Sequence, residues 1–302
     1  MHKLQSFIFG ALLLSTMAAC HTDDVGLTDQ EIFQSDQADI LNYATTKALS
    51  GTLTPNGVYY VSTKPSSSSV SPANGLEVEY NSTFYALSRS SSTTAVTERF
   101  VDSTYATKSS YTYLVATNPG ITEGLLRMHE GEQATILLPS IYAFGRSGTS
   151  NGTIPPNTPI RVDVTLKRVR TETQQIDEYL TANKLTPSEI STTGLRIVKT
   201  VANSTGATPA SGQTLVIRYK GKLLRSTSAF DSTGTGTYSG ALGNFVPGFS
   251  EGLAKLKVGE QAIIVFPSRL GYSEKGATDN VGRQIIPPYA PLRFDIELVS
   301  VQ

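Results

Sequence analysis

I-P-P-Y-A-P-L-R-F-D-I-E-L, residues 286–298, decides the fold because it has a counterpart, I-P-P-N-T-P-I-R-V-D-V-T-L at 154–166. Each stretch opens on a Pro-Pro pair, which no helix interior tolerates. Each then alternates apolar with polar residues, the period of a strand with one buried face. Working outward, V-P-G-F-S-E-G-L (246–253) and G-E-Q-A-I-I-V-F-P (259–267) precede the later copy. N-P-G-I-T-E-G-L (118–125) and G-E-Q-A-T-I-L-L-P (131–139) precede the earlier one in the same order. The Pro-Pro pairs at 155 and 287 lie 132 residues apart, and the Pro-Gly turns at 119 and 247 lie 128 apart. Shared order at a near-constant offset means internal duplication.

Further elements fall in parallel. The first copy has a helical segment near Gln37 to Ala48, then P-N-G-V-Y-Y-V at 55–61 and a strand E-V-E-Y at 77–80. The second has a helical segment near Gln175 to Asn183, then T-G-L-R-I-V at 193–198 and L-V-I-R-Y at 215–219. One short helix per copy is expected, near 122–128 and 250–256, where E-G-L follows the Pro-Gly turn. The Ser/Thr/Pro/Gly stretches 62–74 and 200–213 read as loops. The boundary between copies falls at 170–173. The expected class is α+β: a curved antiparallel sheet wrapped over one short helix, twice.

Composition removes whole classes of chemistry. The 302 residues carry 25 Lys plus Arg and 25 Asp plus Glu, so the formal net charge is zero and nucleic acid is not an expected partner. Charged residues are 17% of the chain, below the roughly 25% of ordinary soluble domains, and the Ser, Thr, Gly and Pro that fill the gap favour strands and loops over an all-helical bundle. Cys20 is the only cysteine, and the histidines are His2, His21 and His129. An internal disulfide is impossible, and neither a metal cluster nor a His-dependent triad is expected. No metal and no cofactor are anticipated.

The first residues read as export signals. Lys3, the apolar run Phe7 to Leu14 and the small residues before Cys20 form a signal peptide over 1–19, with an apolar run too short to span a bilayer. Met17-Ala18-Ala19-Cys20 resembles the lipobox of bacterial lipoproteins, in which the cysteine becomes the lipidated first residue. Residues 20–35 are then a lipidated tether, and several acyl chains on Cys20 give stable anchoring where one does not. Asp23 and Asp24 resemble acidic sorting signals for the outer membrane or cell surface; a solvated linker accounts for them equally well.

The second copy carries a family resemblance. G-Q-T-L-V-I-R-Y-K-G-K-L-L (212–224), A-F-D-S-T (229–233), L-G-N-F-V-P-G-F-S-E-G-L (242–253), V-G-E-Q-A (258–262), L-G-Y (270–272) and I-I-P-P-Y-A-P-L-R-F-D-I-E-L (285–298) resemble the FKBP-type peptidyl-prolyl isomerases. D-E-Y-L-T-A-N-K-L (177–185) is similar to the lead-in helix of bacterial secreted members. Such an activity needs no nucleophile, metal or acid–base pair. The X–Pro barrier of about 18–20 kcal/mol is amide resonance, and an apolar pocket favours the twisted, less charge-separated amide.

Position by position, the resemblance assigns Tyr219, Phe230 and Phe294 to the pocket wall, with Tyr238 as a further wall residue. Val246 offers the backbone N–H that binds the ligand. Phe249 is the floor, where the family commonly has Trp. Tyr272 offers a hydroxyl to the substrate carbonyl, Ile286 is an apolar contact with Ile285 beside it, and Asp231 is a buried carboxylate orienting the pocket. The stretch before Val246 is about two residues short, and the 273–284 loop is longer than in the smallest members.

In the first copy, Tyr80 is matched to the strand tyrosine and Val101 or Phe100 precedes Asp102. Asn118 stands at the N–H donor position, Ile121 at the floor, Phe144 for the hydroxyl-bearing tyrosine and Val162 for the wall phenylalanine. The implied organisation is a degenerate FKBP-like domain at 36–171 and an isomerase domain at 172–302. The expected function is that of a lipid-anchored, extracytoplasmic prolyl isomerase. It assists folding of exported, proline-containing polypeptides from the outer membrane, on its periplasmic face or at the cell surface. The alternative is a non-catalytic FKBP-like lipoprotein that binds peptide or protein.

Overall fold

The computed structural model describes residues 26–89, 94–105, 108–115, 117, 119–210 and 212–302. Its first half runs α1 (Asp29–Thr46), β1 (Thr52–Leu53), β2 (Tyr59–Lys64), β3 (Glu77–Arg89), β4 (Val96–Ser103), β5 (Ser110–Tyr113), α2 (Ile121–Leu125), β6 (Gln133–Leu138) and β7 (Ile160–Arg170). The second runs α3 (Glu172–Ala182), β8 (Glu189–Ile190), β9 (Arg196–Val201), β10 (Thr214–Leu223), β11 (Ala229–Ser232), β12 (Tyr238–Ala241), α4 (Pro247–Ala254), β13 (Gln261–Phe266), β14 (Ala277–Thr278), β15 (Gln284–Ile286) and β16 (Leu292–Val301). Each half builds a seven-stranded antiparallel sheet. The orders β1-β2-β6-β7-β3-β4 and β8-β9-β13-β16-β10-β11 are the same topology, with β5 on β3 and β12 on β10. The expected α+β duplication is what the chain forms. No helix among the described residues is long and apolar enough to cross a membrane.

The near-continuous apolar run A-I-I-V-F of β13 follows from burial on both faces. Ile264 and Phe266 face the core shared with α4, whereas Val265 faces Ile176 and Leu180 of α3. The first half repeats this: Ile136 and Leu138 lie in its central core, and Leu137 packs with Ile40, Tyr43 and Ala44 of α1. Helix α4 lies against the sheet because two glycines face it. A Cβ on Gly248 would come within 2.5 Å of the Phe266 ring, and one on Gly252 within 2.8 Å of Ile264.

The long helices belong to the repeat. Asp36 of α1 accepts from the backbone N–H and hydroxyl of Ser140 at 2.7 and 2.5 Å. Glu172 of α3 accepts the same two bonds from Ser268. Seven residues on, Tyr43 accepts from Arg161 and Tyr179 from Arg293, each arginine also pairing with the aspartate two residues along, Asp163 and Asp295. This register corrects the expected tether: α1 begins at Asp29, so residues 29–35 are helix. Thr28 caps it, accepting from the Glu31 N–H while the Glu31 carboxylate accepts from the Thr28 N–H. Thr171 and Gln174 cap α3 in the same way. Cys20, Asp23, Asp24 and the leader lie outside the described residues.

Candidate active site

Strand pairing brings the aromatic residues of the second half together. In the β10–β16 ladder Tyr219 lies opposite Ile296 and Gly221 opposite Phe294, and in the β10–β11 pair Gly221 lies opposite Asp231. A Cβ on Gly221 would meet the Phe294 ring at 2.6 Å and the Phe230 ring at 2.7 Å, so only glycine leaves room for both rings there. Phe294 is the hub. Its ring centroid lies 5.5 Å from Phe230, 4.9 Å from Phe249 and 6.3 Å from Tyr219, and it stacks on Phe266 at 5.7 Å. Tyr219 meets Phe249 edge-on at 5.6 Å. These are the offset and T-shaped geometries that aromatic quadrupoles favour.

Phe249 is buried at 3% exposure and Ile286 at 1%, giving the site an apolar base. The rim is open, with Tyr238 at 46%, Ile285 at 38% and Tyr272 at 36% exposure. Val246 is the N-cap of α4, its carbonyl accepting from Phe249 and Ser250. Among the described residues the Val246 N–H has no acceptor, which suits a ligand-facing donor beside the Phe249 ring.

Asp231 corrects one expectation: it is exposed, not buried, and its carboxylate accepts from the Tyr219 hydroxyl at 2.8 Å. Desolvation, and then that bond, raise the Tyr219 hydroxyl above the ordinary tyrosine pKa. Desolvation followed by the Asp231 charge does the same for Tyr272. Both therefore remain hydroxyl donors at neutral pH.

Two ring residues went unassigned in the sequence. Phe245 lies 5.0 Å from Phe249 and 5.9 Å from Tyr238, linking rim to base, and Phe266 backs Phe294. The F-V-P-G-F spacing, which puts Phe245 just before the helix cap, is the signal that finds the first. The long loop also acquires structure. Ala277–Thr278 pairs with Gln284–Ile286, Asp279 closes the turn by accepting from the Val281 and Arg283 N–H groups, and exposed Val281 sits at the tip.

The same ladders correct the reading of the first half. Both β3 and β10 are bulged twice, at Glu79/Tyr80 and Phe84/Tyr85 in one and at Val216/Ile217 and Gly221/Lys222 in the other. Aligned on these bulges, Tyr80 corresponds to Ile217, not to the strand tyrosine. Ser82 stands in the place of Tyr219, and Phe84, opposite Val162, in the place of Gly221. Asp102 lies opposite Phe84, so Val101 takes the place of Phe230, and Ser110, opposite Tyr80, that of Tyr238. Ile121 opens α2, and Phe144 follows a short helical turn as Tyr272 does. Asn118 lies outside the described residues.

Known proteins resemble this chain in both halves. The FKBP-type peptidyl-prolyl cis-trans isomerase family matches residues 75–167 and 206–299, together more than half of the chain. The probable FKBP-type isomerase FkpA of Neisseria meningitidis is 36% identical over 98 residues, covering 32% of this chain and 34% of that protein. FK506-binding protein 1B of Neurospora crassa is 38% identical over 107 residues, covering 32% of this chain and 90% of its own length. The crystal structure of FkpA from Escherichia coli is 30% identical, covering 44% of this chain and 59% of that one, with a TM-score of 0.37. The chain thus spans only about a third of the Neisseria protein. With two family matches laid on two sheets of one topology, the chain belongs to the FKBP-type peptidyl-prolyl cis-trans isomerases.

Proposed function

We propose that the second half is a working prolyl isomerase and that the first half is not. The observation that carries this is the ring cluster of Tyr219, Phe230, Phe249 and Phe294, whose Phe230 and Phe294 rings pack where Gly221 has no side chain. A proline ring seated on Phe249 is stripped of water, and the apolar walls favour the twisted amide over the planar one. The Val246 N–H and the Tyr272 hydroxyl hold chain carbonyls on either side of the bond, and Asp231 fixes the Tyr219 ring by accepting its hydroxyl. No proton is transferred and no covalent bond is made.

In the first half Ser82, Val101, Ile121, Phe144 and Val162 replace two wall rings, the base ring, the rim hydroxyl and the hub. That half is read as a non-catalytic module.

The test is exchange of a short X–Pro peptide by the full chain. Acceleration that is lost in Phe294→Ala supports the reading. A folded full chain that leaves exchange at its uncatalysed rate refutes it.

The proposed setting is extracytoplasmic, with signal 1–19 removed and Cys20 lipidated at the outer membrane. Proline-containing exported polypeptides are the substrates there. A Cys20→Ala chain should leave the membrane fraction for the soluble one; persistence in the membrane rules out that anchor.

A further inference from the structure

The two halves meet through contacts that land on the segments leading into the aromatic site. Glu77, the first residue of β3, is fully buried, and its carboxylate accepts from Arg225 Nε at 2.6 Å and Nη2 at 2.9 Å. The same guanidinium lies 4.0 Å from the centroid of the Tyr111 ring. Arg225 sits in the turn between β10 and β11, shortly before Phe230 and Asp231.

The second contact follows Ile286. Tyr289 has φ 59°, a backbone region that bulky side chains rarely adopt. Its counterpart in the first half is Asn157, at φ 52°, a residue type at ease there. The Tyr289 ring lies against Gly75, where a Cβ would meet ring atoms at 3.1 and 3.2 Å, and its hydroxyl accepts from Asn74 Nδ2 at 2.9 Å. Tyr113 adds a third contact, packing against the second core and donating to Gln175 Oε1 at 3.0 Å.

The strand pairing of the segments so held is short. β11 is four residues long and meets β10 in three paired positions broken by a bulge. β15 is three residues long and pairs with β14 alone among the described strands.

We propose that the first half is a brace for the isomerase site. Through Glu77–Arg225 and Gly75–Tyr289 it holds the two segments that place Phe230, Asp231, Ile285 and Ile286. The effect on rate rests on the isomerase reading; the mechanical effect does not. Glu77, Arg225 and Tyr289 are positioning residues. Arg225→Ala leaves the Glu77 charge buried without its partner, a costly state relieved by opening the contact.

The experiment uses the full chain, comparing wild type with Glu77→Gln, Arg225→Ala and the double variant. Amide hydrogen exchange is measured at 229–232 and 284–290, together with kcat and KM for an X–Pro peptide. The brace requires exchange at 229–232 to rise about tenfold in both single variants while β9 and β13 keep their protection. It also requires the double variant to be no worse than either single one and, where the wild type is active, kcat/KM to fall about threefold to tenfold, mainly through KM.

Folded variants with unchanged exchange at 229–232, or with exchange raised evenly across both sheets, overturn the proposal. An inactive wild type whose variants still exchange faster at 229–232 removes the isomerase reading and upholds the brace. Should the Glu77 and Arg225 variants fail to fold, Tyr289→Asn removes the other strut alone. It must raise exchange at 284–290, and no change there overturns the proposal.

Discussion

Phe294 touches Tyr219, Phe230, Phe249 and Phe266, so no other side chain removes as much of the site at once. Phe294→Ala should cost about 3–5 kcal/mol of stability, as core ring deletions do, and abolish most exchange activity. Tyr272→Phe removes one rim hydroxyl, worth about 0.5–1.5 kcal/mol, and should lower kcat/KM only about twofold to tenfold. Denaturant titration and peptide exchange on the two variants check the contrast; equal, negligible losses place the site elsewhere. Gly221→Ala attacks the same ring pair without deleting an atom. With ring atoms 2.6 and 2.7 Å from the new Cβ, Phe230 and Phe294 must move, at about 1–3 kcal/mol.

Most of this site was legible in the sequence because its residues sit in short motifs of fixed spacing. The resemblance implies a buried Asp231, but the open side of a four-residue edge strand leaves it exposed. One-letter identity matches Tyr80 to Tyr219, but it does not reveal the β-bulge that sets Tyr80 level with Ile217. Only the paired positions show that Ser82 is the residue standing where Tyr219 stands.

At the scale of elements, α1 shows where pattern reading runs out. Its buried face is Ile32, Asp36, Ile40, Tyr43 and Ala44, with an acid in the middle of the stripe, so apolar periodicity fades before the helix ends. The capping box Thr28–Glu31 was the available signal, and Thr171–Gln174 opens the sister helix in the same way. Thr28→Ala should therefore cost about 0.5–2 kcal/mol, read as a shift in the unfolding midpoint. Packing of α1 also couples to pH. Tyr43, buried between Glu98 and Arg161, has its hydroxyl pushed up to about 12, chiefly by desolvation and then by its bond to Glu98. The folded-state pKa is raised, so this contribution is complete below the ordinary tyrosine value near 10. It is lost as pH rises from there to about 12. Stability measured from pH 9 to 12 should fall more steeply in wild type than in Tyr43→Phe, and parallel curves would refute the coupling.

Across the whole molecule, the two halves share one scaffold and differ in the residues at the site. Conserving the fold needs the strand alternation, the Pro-Gly turn, the helix-to-turn carboxylates Asp36 and Glu172 and the arginine–aspartate pairs, and both halves keep all of these. The proposed proline site needs the aromatic walls and base. In the first half Phe84 stands at the position of Gly221, against which the second half packs the Phe230 and Phe294 rings, and Val162 stands opposite it where Phe294 does. On the function proposed above, an X–Pro bond there meets neither the aromatic base nor the rim hydroxyl of the second half. If that is the physical difference, disabling the second site must silence the whole chain. The full-length Phe230→Ala/Phe294→Ala chain should keep its first half folded, seen as slow amide exchange in β3, β6 and β7, and yet return peptide exchange to the uncatalysed rate. Residual activity above about a tenth of wild type would mean that Phe84, Val162 and Ile121 form a working site. Aromatic enclosure would then not be the source of the rate.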